Sequence, residues 1–177
     1  MQLKTTMQLQ GVVKREILEA FEATPYPGDE HIVINQSGND SEYRDILSAI
    51  NSKAWQDVSV EMVRNHAAEA LIFLTPTAFR YYLPAYMIGC VEAYYDVDIA
   101  LDSVLFNLTP PKERSGWEWD FFWVRVQQFN EHEKKAITLF LELMKQYEID
   151  DWASAGLEPP ENRVTSALNF WIMRQHW

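Results

Sequence analysis

The sequence has few of the residues that build covalent cross-links, phosphate cradles or basic binding surfaces. Its single cysteine, Cys90, excludes an internal disulfide bond, and the apolar neighbours of this residue predict a buried, inert thiol. Only six glycines occur, and neither G-x-G-x-x-G nor G-x-x-x-x-G-K is present. The 15 basic residues are outnumbered by 26 acidic ones, and the net charge of −11 argues against binding to nucleic acid or to anionic membranes.

Long apolar runs are also missing, which bears on localisation and domain organisation. No run approaches the roughly 18 apolar residues of a membrane-spanning helix, and the N-terminus lacks the apolar centre of a signal peptide. We therefore expect a cytoplasmic protein. The chain has 177 residues, of which 47% are apolar, enough for one sizeable core. We assign residues 1–11 to a polar, loosely held N-terminal segment and residues 12–177 to a single helical domain.

The most apolar stretch runs from Phe73 to Tyr95 and reads FLTPTAFRYYLPAYMIGCVEAYY. Thr75 followed by Pro76 predicts a helix start, because a threonine oxygen can accept from a free N–H and proline suits the first helical position. Apolar side chains then recur at helical spacing, which predicts the central buried element. Pro84 lies inside this run and predicts a kink or two abutting helices.

This stretch resembles the signature of an uncharacterised bacterial domain family of unknown function. The matching residues are F-L-T-P-x-A-F-R-Y-Y-L-P-A-Y-M at positions 73–87. Weaker similarity extends over roughly residues 12–145 and includes the Pro25–Asp29 turn and Trp55. The resemblance implies one helical domain of bacterial origin, and it implies no catalytic residue.

Periodicity elsewhere predicts a mainly α fold, an irregular single-domain bundle of six to eight helices. The run at residues 31–34 leaves room for a minor β pair. Ser59 is expected to open a helix that ends before Thr75, and Asp96 or Asp98 to cap the helix after the apolar stretch.

The second half of the chain is harder to predict. Asn130 and Glu133 have the spacing of a capping box at a helix start. In residues 117–126 tryptophans at first alternate with polar residues, which favours an extended or irregular segment. Residues 150–160 are acidic and end in two prolines, so we expect a loop there before a final helix from about Glu161.

Common catalytic and metal-binding motifs are absent. The sequence contains no H-E-x-x-H, no Glu-x-x-His and no G-x-S-x-G. His66 and Glu69 lie three residues apart, but a catalytic zinc site takes about three protein ligands. Asp96, Asp98 and Asp102 lack the glycine and glutamate of a calcium loop. We therefore expect no metal and no cofactor, and we lean against an enzyme.

Arg80 is the most informative single residue of the apolar stretch. It lies among Phe79, Tyr81 and Tyr82, where an unpaired buried charge would be costly, so we expect it to pair with a carboxylate or to stack on a ring. The alternative is an enzyme or small-ligand sensor whose pocket uses Arg80 as an anion anchor beside Tyr81 and Tyr82. A densely packed core with Arg80 tied to a carboxylate would argue against that alternative.

Two acidic segments give the strongest indication of function. Neither residues 81–111 nor residues 148–161 contain a lysine or an arginine. The residues that we assign to partner binding are Glu92, Asp96, Asp98, Asp102, Asp150, Asp151 and Trp152. Tyr95 is a second aromatic anchor. A solvated acidic surface is the alternative interpretation, and the sequence leaves open whether the two segments share one face.

The leading hypothesis is a non-enzymatic protein-binding module of the immunity type. Such a protein would neutralise a cognate bacterial toxin, often basic, by covering its active site. Carboxylates would steer the association and aromatic side chains would form the desolvated centre of the interface. A further option is a structural subunit that associates through the tryptophans of residues 117–123. The sequence does not predict an oligomeric state.

Overall fold

The computed structural model describes residues 2–34, 41–65 and 70–174, in which the chain forms nine α-helices and no strand. The helices are α1 Gln2–Phe21, α2 Ser41–Ile50, α3 Val60–Asn65, α4 Ala70–Phe73, α5 Pro76–Glu92, α6 Asp98–Leu108, α7 Trp117–Val126, α8 Glu131–Ser154 and α9 Arg163–Arg174. The prediction of an irregular, mainly α bundle is confirmed. Residues 117–126 add a helix that was not predicted, and the expected third helix is described as α3 and α4, which lie on either side of residues 66–69, outside the described part.

Helix α5 is the centre of the bundle and contacts α1, α3, α6, α7 and α8. The Thr75 hydroxyl accepts a hydrogen bond from Ala78 N at 3.2 Å, and Pro76 occupies the first helical turn, as predicted. Of its 17 residues 12 are buried, which is typical of a helix surrounded by other helices. Of the two alternatives predicted at Pro84, a kink or two abutting helices, the second is excluded because α5 is continuous. Burial on both sides of Pro84 offsets the roughly 3 kcal/mol that an interior proline costs.

The expected β pair is reduced to one antiparallel bridge between Val33 and Leu74 in the described residues. Ile34 N donates to Phe73 O at 2.9 Å, and Thr75 N donates to Ile32 O at 2.9 Å. The pairing goes no further because α5 begins at Pro76, and proline has no N–H to donate.

The polar N-terminal residues that we expected to be loosely held belong to a helix. Helix α1 begins at Gln2 and packs along α8 and α5. The Gln10 side chain donates to Val91 O at 2.6 Å, and Lys14 pairs with Glu92. These two polar contacts tie the middle of α1 to the end of α5.

The prediction of an extended segment at residues 117–126 is wrong, because these residues form α7. The rings of Trp119 and Trp123, one helical turn apart, stack with centroids 5.5 Å apart and planes 9° apart. Phe122, Arg125 and Val126 form the buried side. The alternation was misleading because the tryptophans lie on partly exposed surface and do not mark the core.

Two boundaries also differ from the sequence predictions. Helix α8 runs to Ser154, so Asp150 and Asp151 lie in its last turns rather than in a loop, and its predicted Asn130–Glu133 capping box is present. Helix α6 has Val97 at its N-cap with no side-chain cap, so capping by Asp96 or Asp98 is wrong. Packing of α8 against α1 and α9 stabilises its acidic end despite the unfavourable helix dipole.

Candidate functional site

The structure brings the two acidic segments together through two neighbouring tyrosines. The Tyr95 hydroxyl donates a hydrogen bond to Asp151 Oδ1 at 3.0 Å. The Tyr94 ring stacks on Tyr147, with centroids 4.4 Å apart and planes at 27°. Both contacts join the 3₁₀ turn Tyr94–Asp96 to the end of α8. The two segments thus share one surface, a point that the sequence left open.

We call this surface the acidic face. Its described side chains are Glu92, Tyr95, Asp96, Ile99, Asp102, Glu148, Asp150 and Asp151. Asp102 and Glu148 line one cavity of about 470 Å³, which lies between α6, α8 and the start of α9. The side chain of Asp98, which we also assigned to partner binding, lies outside the described part.

Apolar groups stand exposed within the acidic face. Tyr95 is 75% exposed and Ile99 is 60% exposed. Ile99 and Asp102 are three residues apart on α6 and therefore lie on the same side of that helix. Trp152, predicted as an anchor, is half-buried, and its carbonyl accepts from Leu157 N at 2.9 Å. Sequence reasoning missed Ile99, although its spacing from Tyr95 and Asp102 was a usable signal.

The acidic residues differ in how far neighbouring cations neutralise them. Glu92 pairs with Lys14, Asp96 with Arg64 at 3.8 Å, and Glu148 with Lys145 at 3.0 Å. Asp102 and Asp151 form no ion pair with a described lysine or arginine. These two carboxylates are therefore the least neutralised of the five compared here.

Burial, the hydrogen bond to Asp151 and the nearby carboxylates together raise the pKa values of the tyrosines on this face. The pKa of Tyr95 is raised, first by its hydrogen bond to Asp151 and then by burial. Burial raises the pKa of Tyr94, and the Asp151 and Glu148 carboxylates add to the effect. Both phenols stay protonated at neutral pH, so Tyr95 acts as a hydrogen-bond donor and an apolar contact.

Arg80, the anchor of the alternative ligand pocket, is tied into the core. Its Nε lies 2.9 and 3.0 Å from the two carboxylate oxygens of Glu133. Glu133 is fully buried and also accepts hydrogen bonds from Thr24 Oγ1 and Asn130 N, both at 2.8 Å. The predicted pairing with a carboxylate is therefore present, and it joins α5 to the capping box of α8.

The two tyrosines beside Arg80 are also occupied by structural contacts. The Tyr82 hydroxyl lies 2.9 Å from Ile50 O and 3.1 Å from Lys53 O, and burial raises its pKa. Tyr81 is buried and packs edge-on against Tyr26 and Tyr82. Neither Arg80 nor these tyrosines line the cavities described here. These are the contacts that argue against a ligand pocket at Arg80.

The described ranges contain no group of three or more His, Cys, Asp or Glu side chains that could hold a metal ion. The His66–Glu69 pair lies outside those ranges. No described helix is both long enough and apolar enough to cross a bilayer.

The fold and this surface define an all-α domain with an acidic, tyrosine-bearing face. The chain belongs to a family of unknown function, DUF6714, whose model matches residues 11–175. The match extends past residue 145, where the sequence resemblance was expected to end. No curated protein and no solved structure matches the chain.

Proposed function

We propose that this chain is a non-enzymatic protein-binding module whose acidic face docks a basic protein. The observation that carries the proposal is the Tyr95–Asp151 contact, which joins two acidic segments around an exposed tyrosine and an exposed isoleucine. Interfaces commonly have such an arrangement, with an aromatic or apolar centre inside a charged rim.

The two kinds of residue have different tasks in this mechanism. Carboxylates such as Asp102 and Asp151 attract a basic partner over distances near the Debye length and raise its association rate. Tyr95 and Ile99 then lose their contact with water and slow dissociation. The Tyr95 ring is already held by Asp151 and by an edge contact with Tyr94 at 5.0 Å, so little conformational entropy is lost on binding.

The more specific form of the proposal is an immunity-type protein that neutralises a basic toxin domain. Three features support this form: a small chain, a net charge of −11 and a concentrated acidic face. In this form the acidic face covers the basic active site of the toxin, and binding and neutralisation have the same charge requirement.

The first experiment identifies the partner and then measures its association kinetics. A tagged chain is used to capture proteins from a source-cell lysate at low and moderate salt, and the stoichiometric partner is purified. We expect the Asp102→Asn/Asp151→Asn double variant to associate roughly 3- to 10-fold more slowly, and Tyr95→Ala to raise Kd by about 10-fold or more.

Glu142→Gln is the matched control for the charge effect. Glu142 is exposed and lies nine residues before Asp151 on α8, which places it two and a half turns away on the opposite side of the helix. Equal association rates for the control and the double variant would refute the acidic-face docking. If binding occurs but the activity of the partner is unchanged in the complex, the neutralising role is lost and the binding role remains.

A further inference from the structure

A second cavity, of about 720 Å³, lies at the opposite end of α6 from the acidic face. Its walls come from α4, α6, α7, residues 109–116 and the first residue of α9. Apolar and aromatic side chains dominate, among them Ile72, Phe106, Trp117, Phe121 and Phe122. Phe106 is 51% exposed and Trp117 is 77% exposed. The volume and the aromatic lining are those of a small-molecule site.

A buried arginine lies directly behind the wall of this cavity. Arg125 is 2% exposed, and its guanidinium donates to Asn107 Oδ1 at 2.8 Å and to Ile72 O at 2.9 Å. The Phe121 ring centroid lies 3.7 Å from its Cζ. These three partners also line the cavity. A further hydrogen bond goes to Leu74 O at 2.8 Å.

Arg125 differs from a normal buried cation because all of its partners are neutral. Buried charges in proteins are usually paired, and Arg80 in this chain is paired with Glu133. Arg125 forms no ion pair with a described carboxylate, and burial lowers its pKa to about 9. Its positive charge is therefore uncompensated on the protein side, next to an aromatic cavity.

Two further cations line the cavity itself. Arg163 has its Cζ 5.6 Å from the Phe106 ring centroid, and Lys112 lies at the exposed rim. Like Arg125, neither forms an ion pair with a described carboxylate, whereas seven other lysines and arginines do. Glu113 and Glu118 also line the cavity, and like Lys112 and Arg163 they are exposed and screened by water, whereas the buried Arg125 behind the wall is not.

We propose that this cavity binds a small aromatic carboxylate. The aromatic body lies among Phe106, Trp117 and Phe121, and the carboxylate lies near Arg163 and Lys112. The guanidinium of Arg125 adds a favourable potential from behind the wall without direct contact. A neutral ligand of the same shape fills the apolar part but leaves the cations uncompensated, so the site discriminates by charge.

The test compares 1-naphthoate with 1-naphthamide, which share a ring system and differ in charge, by isothermal titration calorimetry on the full chain. We expect 1-naphthoate to bind at least about tenfold more tightly than the amide, because a charge-assisted contact is lost in the amide. Arg163→Gln and Lys112→Gln should each lower naphthoate affinity by about three- to tenfold and leave naphthamide binding unchanged.

Arg114→Gln is the matched control, because Arg114 is exposed in the same loop and does not line the cavity. Arg163 also lines the cavity beneath the acidic face, so its variant alone does not show which cavity binds the naphthoate. Lys112 lines the aromatic cavity and not the other, so a lower affinity of Lys112→Gln assigns binding to the aromatic cavity. Trp117→Ala should weaken both ligands equally. The proposal is overturned by equal affinities for the acid and the amide, by equal effects of the Lys112 and Arg114 variants, or by no binding of 1-naphthoate at millimolar concentration.

Discussion

The two ends of α6 carry surfaces of opposite character. The first turns bear Ile99 and Asp102 on the acidic face, where carboxylates outnumber cations and a tyrosine stands exposed. The last turn bears Phe106 and Asn107 at the aromatic cavity, where cations have no carboxylate partner. A net charge of −11 therefore does not describe the local electrostatics, because one helix of 11 residues bears both the acidic face and a cavity with unpaired cations, and Arg163 lines the cavities at both places.

The largest expected effect is found by comparing the half-buried Arg80, which is paired with a carboxylate, with the buried Arg125, which is not. Arg80→Met leaves the fully buried Glu133 without its cation, and we expect the free energy of unfolding to fall by about 3–5 kcal/mol. Arg125→Met leaves neutral acceptors without their donor, which destabilises the fold, but it also removes a costly buried charge. We therefore expect a smaller fall in the free energy of unfolding, of about 1–3 kcal/mol. Urea unfolding measures both values.

Arg114→Met serves as the exposed control in that series, and we expect its effect to stay within about 0.5 kcal/mol. A loss for Arg125→Met as large as that for Arg80→Met would mean that Arg125 is compensated in the folded chain. The cavity would then not differ from the rest of the molecule in having a cation without a compensating partner.

The second prediction uses alkaline pH, where the buried and half-buried tyrosines and Arg125 act in opposite directions. Tyr82, Tyr86 and Tyr94 have raised pKa values, mainly through burial. Their stabilising contribution is complete below the unfolded-state value near 10 and is lost as the pH rises from there toward the folded-state values. Arg125 has a lowered pKa of about 9, so its contribution grows above that pH.

Because several tyrosines oppose a single arginine, we expect the free energy of unfolding to fall above pH 10, by at most about 1.4 kcal/mol per pH unit for each tyrosine. Tyr94→Phe should make the fall shallower and Arg125→Met should make it steeper. Denaturant unfolding at stepped pH values measures the slopes. A Tyr94→Phe slope equal to that of the unaltered chain would show that the acidic face does not perturb this phenol.

The smallest expected effects are those of the exposed aromatic residues. Tyr95→Ala and Trp117→Ala should each change the free energy of unfolding by about 0.5 kcal/mol or less, because both side chains are largely exposed. Trp171→Ala is the buried control, with an expected loss of about 3–5 kcal/mol. Thermal and urea unfolding would check this. A large loss for Tyr95→Ala would assign that residue to folding rather than to binding.

Local chemistry predicted several features of the fold correctly. The Thr75–Pro76 start of α5 and the Asn130–Glu133 capping box involve residues no more than three apart, so their geometry follows from the sequence. The end of α8 and the helical state of α7 were predicted wrongly. In both cases packing against other helices outweighed a composition that favours loops or strands.

The candidate sites were predicted only in part. Most residues of the acidic face were identified from charge, whereas Ile99 was missed. The cavity was missed entirely, although an arginine between Val124 and Val126 in an aromatic run was a usable signal. The position of Arg125 in the buried side of α7 became readable only once that segment was known to be helical.

The sequence by itself determined the mainly α class, the central apolar helix, its capped start and the excess of carboxylates. Only the tertiary structure decided which polar groups remote in sequence come into contact. Tyr95 and Asp151 are 56 residues apart in the chain, and Arg125 reaches the Ile72 carbonyl across 53 residues. Helix starts depend on contacts within one turn, whereas both surfaces depend on how α4, α6, α7 and α8 pack, because packing sets the distance between side chains remote in sequence.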